Sequence, residues 1–143
     1  MRKESREKVF QTLFMMDALG VGPEEAFPLF ALASDSPSDT EYYQETVTGV
    51  WTRKAEIDAL ISRAAEHWRI ERMAMVDRNI LRLGVYEISY GKDVPYVVAI
   101  NEAVDLGKRF GADESGGFIN GILDKVSELV NKKTSRSGNA SDD

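Results

Sequence analysis

A single histidine, His67, and a complete lack of cysteine set the first limits on the chemistry open to these 143 residues. Disulfides, thiolate zinc sites and cysteine nucleophiles are excluded together. One imidazole builds no multi-histidine centre, so metal chemistry would have to be all-carboxylate. Glu102, beside Asn101 in an otherwise apolar stretch, could serve as a general base if buried, but a lone carboxylate on such a helix reads better as an interhelical hydrogen-bond anchor. His67, next to Trp68 at the end of a long helical pattern, suits the negative end of a helix dipole and has no visible triad partner. Gly116-Gly117 lacks the spaced glycines and the lysine of a phosphate-cradling loop. Nothing here assembles an active site or a cofactor site, and the reading is of a protein that is not an enzyme.

The basic residues carry more. Arg2, Lys3, Arg6 and Lys8 set four cations against Glu4 and Glu7 at a start expected to be mobile, a cluster that could bind phosphates through counterion release. Arg72, Arg78 and Arg82 fall between apolar positions and are expected to project outward as guanidinium forks. Asp77 beside Arg78 makes that surface mixed in sign, which fits a protein partner better than bare RNA. The formal net charge of −6 opposes non-specific attraction to polyphosphate, so nucleic-acid contact must come from a local basic patch or a shared surface.

Helices must position these groups, because apolar residues recur three and four apart with no sustained alternation. Val9, Leu13, Met16 and Leu19 form a first stripe that Gly20-Val21-Gly22-Pro23 stops. A short helix over about 24–33 follows, with Pro28 predicting a kink or a late start. Ser38, three residues before Glu41, is a capping-box signature for the longest helix. Its stripe runs Tyr43, Val47, Val50, Ile57, Ile61, Ala64, Trp68 for about seven turns, with Lys54 on the stripe marking a place to bend. Tyr42, Tyr43, Trp51 and Trp68 are expected to pack in the core.

Three more helices follow. Met73, Val76, Ile80 and Leu83 lead toward Gly91, predicted as a left-handed stop; Ile100 to Phe110 ends at Gly111; and Phe118 to Val130 closes the pattern. The result is an all-α fold, one domain over 1–131 with subdomains of about 1–68 and 69–131, followed by a polar tail over 132–143 expected to be disordered. No apolar run reaches about eighteen residues and the N-terminus lacks a signal-like stretch, so a cytoplasmic protein with no membrane partner is expected.

Three strings go further: Val76-Asp77-Arg78-Asn79-Ile80-Leu81-Arg82-Leu83, Pro95-Tyr96-Val97-Val98-Ala99-Ile100-Asn101-Glu102-Ala103-Val104 and Phe118-Ile119-Asn120-Gly121-Ile122-Leu123-Asp124. In order and separation the sequence resembles the NusB transcription antitermination factor family, over nearly all of the chain outside the tail. The resemblance implies two antiparallel helical subdomains. It also implies a protein that, with the ribosomal protein NusE, binds the boxA element of ribosomal RNA leader transcripts and helps RNA polymerase read through terminators. Position by position it gives three RNA-binding residues: Arg2, where the family has an arginine in its N-terminal basic segment, and Phe118 and Asn120 at the start of the last helix. Phe118 reads equally well as a core residue. Lys3, Arg6 and Glu114 depart from the family pattern and are not assigned to RNA. Asp77, Arg78 and Lys92 stand where the family carries a glutamate, a lysine and an arginine on the NusE-binding face, so no residue is assigned to NusE.

Two alternatives stand beside this reading. One is the helical RNA-binding portion that some ribosomal RNA methyltransferases carry at their N-terminus, opposed by the lack of any alternating strand-helix pattern after residue 131. The other is a helical homodimer, suggested by Phe14, Met15 and Met16, which look exposed in the sequence.

Overall fold

A computed structural model describes residues 2–33, 40–92 and 94–130, and among these every regular element is helical. Helix α1 (Arg2–Leu19) buries Val9, Leu13 and Met16, as the spacing predicts, while Leu19 lies beyond the buried stripe and is exposed. Gly20 then adopts φ +70°, the left-handed conformation that only glycine takes without strain, and its N–H and that of Val21 both donate to the Met16 carbonyl. Helix α2 (Pro23–Ala33) begins on a proline with Glu24 and Glu25 in its first turn and continues through Pro28. The proposed Ser38 cap and the tail lie outside the described residues.

The predicted seven-turn helix is two helices. Helix α3 (Thr40–Thr52) and helix α4 (Lys54–Ala64) meet at Arg53, whose φ −106° and ψ 21° break the run while its N–H still bonds Gly49 and its carbonyl still accepts from Ile57. Lys54 on the apolar stripe explains the bend, since an ammonium there has no place in the core. The pattern also ends sooner than the spacing suggests. His67 is exposed in a turn three residues beyond Ala64 and caps no helix, and a single 3₁₀ turn at Ile70–Arg72 leads onward.

Helix α5 (Met75–Tyr90) is the axis of the molecule. It packs against α1, α3 and α4 and against two further helices, α6 (Tyr96–Phe110) and α7 (Ser115–Leu129). Residues 79 to 85 are buried without a gap, the signature of a helix enclosed on all sides. Such enclosure needs small residues at the crossings: a Cβ on Gly84 would lie 2.6 Å from Leu123 Cδ1 on α7, and one on Gly49 of α3 would enter the Tyr86 ring. Gly91 ends α5 in extended rather than left-handed backbone (φ −68°, ψ 133°). Glycine is required there because a Cβ would lie 2.5 Å from the Glu87 carbonyl. The short α6–α7 turn is closed by the Ala112 N–H donating to Ser115 Oγ at 2.9 Å.

Enclosing α5 also buries polar groups that the periodicity places outside. Arg82 is buried and Arg78 is largely buried, both turned inward onto acidic partners, because α1 and α4 supply carboxylates on the faces that cover them. Met16 is a core residue, and Phe14 and Met15 pack against the core. Trp51 and Trp68, expected inside, are instead about half exposed. Among the described residues no helix is long and apolar enough to cross a membrane.

Candidate nucleic-acid interface

The N-terminal basic segment is folded, since α1 starts at Arg2, and its cations are sorted by depth. Arg2 is exposed, with its guanidinium 4.1 Å from the centroid of the Tyr42 ring, a cation–π contact. Arg6, one turn on, is buried: its Nε donates to Glu87 Oε1 at 2.8 Å, while the Tyr42 hydroxyl donates to Glu87 Oε2 at 2.7 Å. Burial opposes the charge on Arg6, but the Glu87 carboxylate outweighs it and raises the pKa further. Burial also pushes the Tyr42 hydroxyl well above the usual phenol range, with Glu87 adding to the shift, so Tyr42 remains a donor at every physiological pH. Lys3 lies across α6, its Nζ 3.0 Å from Asp105 and 3.5 Å from Glu102, which makes Glu102 the interhelical anchor its isolation suggests. Arg109 likewise meets Glu7 at 3.0 Å. The segment that reads as a free basic arm is therefore largely tied to the body, with Lys3 and Arg6 held by carboxylates and Arg2 exposed over the Tyr42 ring.

The other expected RNA contacts lie at the start of α7. Phe118 is half-buried and meets the exposed Trp68 edge-on, with ring centroids 5.6 Å apart, so it is both a packed residue and part of an accessible aromatic pair. Asn120 is exposed. A Cβ on Gly117 or Gly121 would meet nothing, leaving the outer face of this helix open to close approach. The Lys108 stem on α6 lies against Gly116, which adds a cation to that end. Phe118 and Asn120 thus share one helix start, whereas Arg2 belongs to the separate cluster between α1, α3 and α5.

A second polar network, which the sequence pattern conceals, joins α1, α4 and α5. Asp17 accepts two bonds from Arg78, at 2.8 and 3.0 Å, one from Asn79 at 2.8 Å and one from Arg82 at 3.2 Å. Burial would raise the Asp17 pKa, but the Arg78 and Asn79 hydrogen bonds and the two guanidinium charges overcome it and hold the carboxyl at about 2, against 3.8 for the free group. A depressed folded-state pKa gives stability that is fully present above the unfolded value and disappears as pH falls through the folded one. Wild-type protein should therefore lose stability between about pH 4 and pH 2, and Asp17→Asn should lose less over that window. Urea midpoints at pH 6, 4 and 2.5 measure the difference. Equal losses in the two proteins would remove Asp17 from the account. Among the described residues no group of three or more His, Asp or Glu side chains could hold a metal ion.

Spacing could not single out Glu87, Asp17 or Asp58, since each looks like an ordinary helix-surface carboxylate. The one available signal is Glu87 lying next to Ile88 and four residues after Leu83, within an apolar stretch.

Among the described residues, a buried axial helix packed against five others, with an exposed arginine riding on a tyrosine at one edge, defines an all-helical bundle protein. The NusB family model matches residues 3–128. A transcription antitermination protein NusB from Myxococcus xanthus is 41% identical over 136 residues, covering 92% of this chain and 97% of that protein, and one from Pelotomaculum thermopropionicum is 44% identical over 131 residues, 89% of each. Among solved structures, NusB of T. maritima superposes with a TM-score of 0.81 at 35% identity, covering 90% of this chain and 91% of that one. NusB in a crystal structure of antitermination factors NusB and NusE with dsRNA gives 0.78 at 30% identity, covering 90% and 96%. The chain belongs to the NusB family.

Proposed function

We propose that this chain binds RNA together with a NusE-type ribosomal protein, takes the boxA element of ribosomal RNA leader transcripts as its target, and acts on the transcribing polymerase complex as an antitermination factor in the cytoplasm. The observation that carries the reading is the likeness, along nearly the whole fold, to NusB bound to NusE and dsRNA. Arg2, Phe118 and Asn120 are the proposed RNA contacts. The charge distribution supports a need for the partner: the net charge is −6, and Lys3, Arg6, Arg78, Arg82 and Arg109 are all engaged by carboxylates of the same chain. Little positive potential is left to gather RNA unaided.

Binding of a boxA-containing RNA, with and without NusE and at several salt concentrations, tests this. The complex of both proteins should bind boxA more tightly than scrambled RNA, the chain alone should bind weakly, and affinity should fall steeply with salt. Arg2→Ala should reduce the log–log salt slope by about one. No preference for boxA over scrambled RNA in either arrangement overturns the proposal.

A further inference from the structure

Beside Arg2 lies a concavity of about 250 Å³ between the N-terminal ends of α1 and α3 and the C-terminal end of α5. Its contents are of three kinds. Glu41 and Glu45, one turn apart on α3, are both exposed and have no ion-pair partner among the described residues, an i,i+4 repulsion left unrelieved. Arg2 and the exposed Lys92 provide two cations. Tyr86 and Tyr90 provide aromatic surface, their rings 5.6 Å apart, with Tyr90 fixed by a 2.6 Å hydrogen bond to Glu56. Thr46 also lines the space. It is 4% exposed, so only a small part of it reaches the cavity wall.

We propose that this concavity is a subsite for one unpaired guanine of the bound RNA, its base against the tyrosines, its donor edge on a glutamate and its phosphate on Arg2 or Lys92. Guanine is the base whose Watson–Crick edge presents two adjacent donors, N1–H and the N2 amine, which match the two oxygens of one carboxylate. Adenine and cytosine offer a single amine beside an acceptor, and uracil offers no amine. The alternative cationic occupant, an arginine or lysine from a protein, would satisfy the glutamates but face repulsion from Arg2 and Lys92. A guanine nucleotide carries donors and an anion together and so meets both signs. Unstacked bases on aromatic side chains, read along their Watson–Crick edges, are the usual currency of single-stranded RNA recognition.

The inference rests on the RNA-binding reading above, and the test separates the two. Labelled single-stranded heptamers of uridine, with the central base uridine, guanosine or inosine, are titrated into the full chain with NusE, alongside boxA RNA. The central guanosine should tighten binding about tenfold over uridine, and inosine, which lacks the N2 amine, should lose most of that gain. Glu41→Gln and Glu45→Gln lie on the surface and keep the fold. At least one should bring the guanosine preference below twofold while leaving uridine heptamer binding no weaker. In 15N-labelled protein, GMP should shift the amides of Thr46, Tyr86 and Lys92, and N-acetyl-arginine amide should not. Equal binding of all three heptamers with boxA still bound, or displacement of GMP by the arginine amide, overturns the guanine subsite alone. Failure of every RNA, boxA included, overturns it together with the RNA reading.

Discussion

Glu87→Ala is expected to lower the stability of the folded chain by about 3–5 kcal/mol, the usual cost of removing one partner from a buried ion pair. The size follows from what remains. Glu87 is 2% exposed and Arg6 is 5% exposed, so deleting the carboxylate leaves a guanidinium in the interior with its main acceptor gone. The Tyr42 hydroxyl loses its acceptor in the same step, adding an unsatisfied donor. For a chain of this length the loss corresponds to a fall in Tm on the order of 10 °C or more. Urea or thermal unfolding of wild type, Glu87→Ala and Glu87→Gln measures it. Glutamine keeps an acceptor but not the charge, so it should fall between the other two. Removing both charges with Arg6→Met and Glu87→Leu should recover much of the loss, because the penalty belongs to the stranded charge. A drop below about 1 kcal/mol in Glu87→Ala would mean that water reaches Arg6 and that the site is not closed as described. The consequence extends to function. Tyr42 is held by Glu87 and carries Arg2 on its ring, so Glu87→Ala should also weaken RNA binding without touching RNA.

How much of this was legible beforehand depends on what each residue does. Apolar periodicity marks Val9, Leu13, Val47, Ile57, Ile80 and Ile119 correctly, because burying a stripe is a local property of a helix. It fails where the neighbour decides. Arg78 and Arg82 look like solvent-facing residues until α1 and α4 bring Asp17 and Asp58 to them, and no local pattern records a pairing across 61 residues, as for Arg78 and Asp17, or 24, as for Arg82 and Asp58. Trp51 and Trp68 fail in the opposite sense: Trp51 sits at the edge of the α3 stripe, one residue past the buried Val50, and Trp68 lies beyond the early end of α4 at Ala64. Gly91 is a stop for a reason other than the left-handed turn its position suggests. The chain needs room beside the Glu87 carbonyl there, a steric demand the sequence does not distinguish from a left-handed turn. Phe118 and Asn120 follow from the family resemblance alone, and only the fold shows that Trp68, from a distant part of the chain, meets Phe118.

Arg82→Ala is expected to cost about as much as Glu87→Ala, roughly 3–5 kcal/mol, but with a different local signature. Arg82 forks onto Asp58, Nε to Oδ1 at 2.9 Å and Nη2 to Oδ2 at 3.1 Å, while Nη1 reaches Asp17 and Asn79 at 3.2 Å each. One side chain on α5 therefore ties down α1 and α4 at once. Truncation leaves two carboxylates in partly dry surroundings and removes the packed stem of the arginine. Arg82→Lys keeps the charge but offers no planar fork, so it should recover only part of the loss. Asp17 retains Arg78 and Asn79, so its pKa should rise from about 2 only part of the way toward 3.8. Because that carboxyl stabilises the fold above its unfolded pKa, its acid-linked loss should then occupy a narrower window at the upper end of pH 4 to 2. Hydrogen exchange separates this network from the Glu87 cluster. In Arg82→Ala the amides of α4 should lose protection beyond the global change, since Asp58 is the carboxylate of that helix bound to the axis. In Glu87→Ala the excess loss should fall on the first turns of α1 and α3, where Arg6 and Tyr42 sit. The same excess loss on α4 in both variants would mean that the two polar clusters on α5 act as one unit, and the separate assignment of Arg82 would fail.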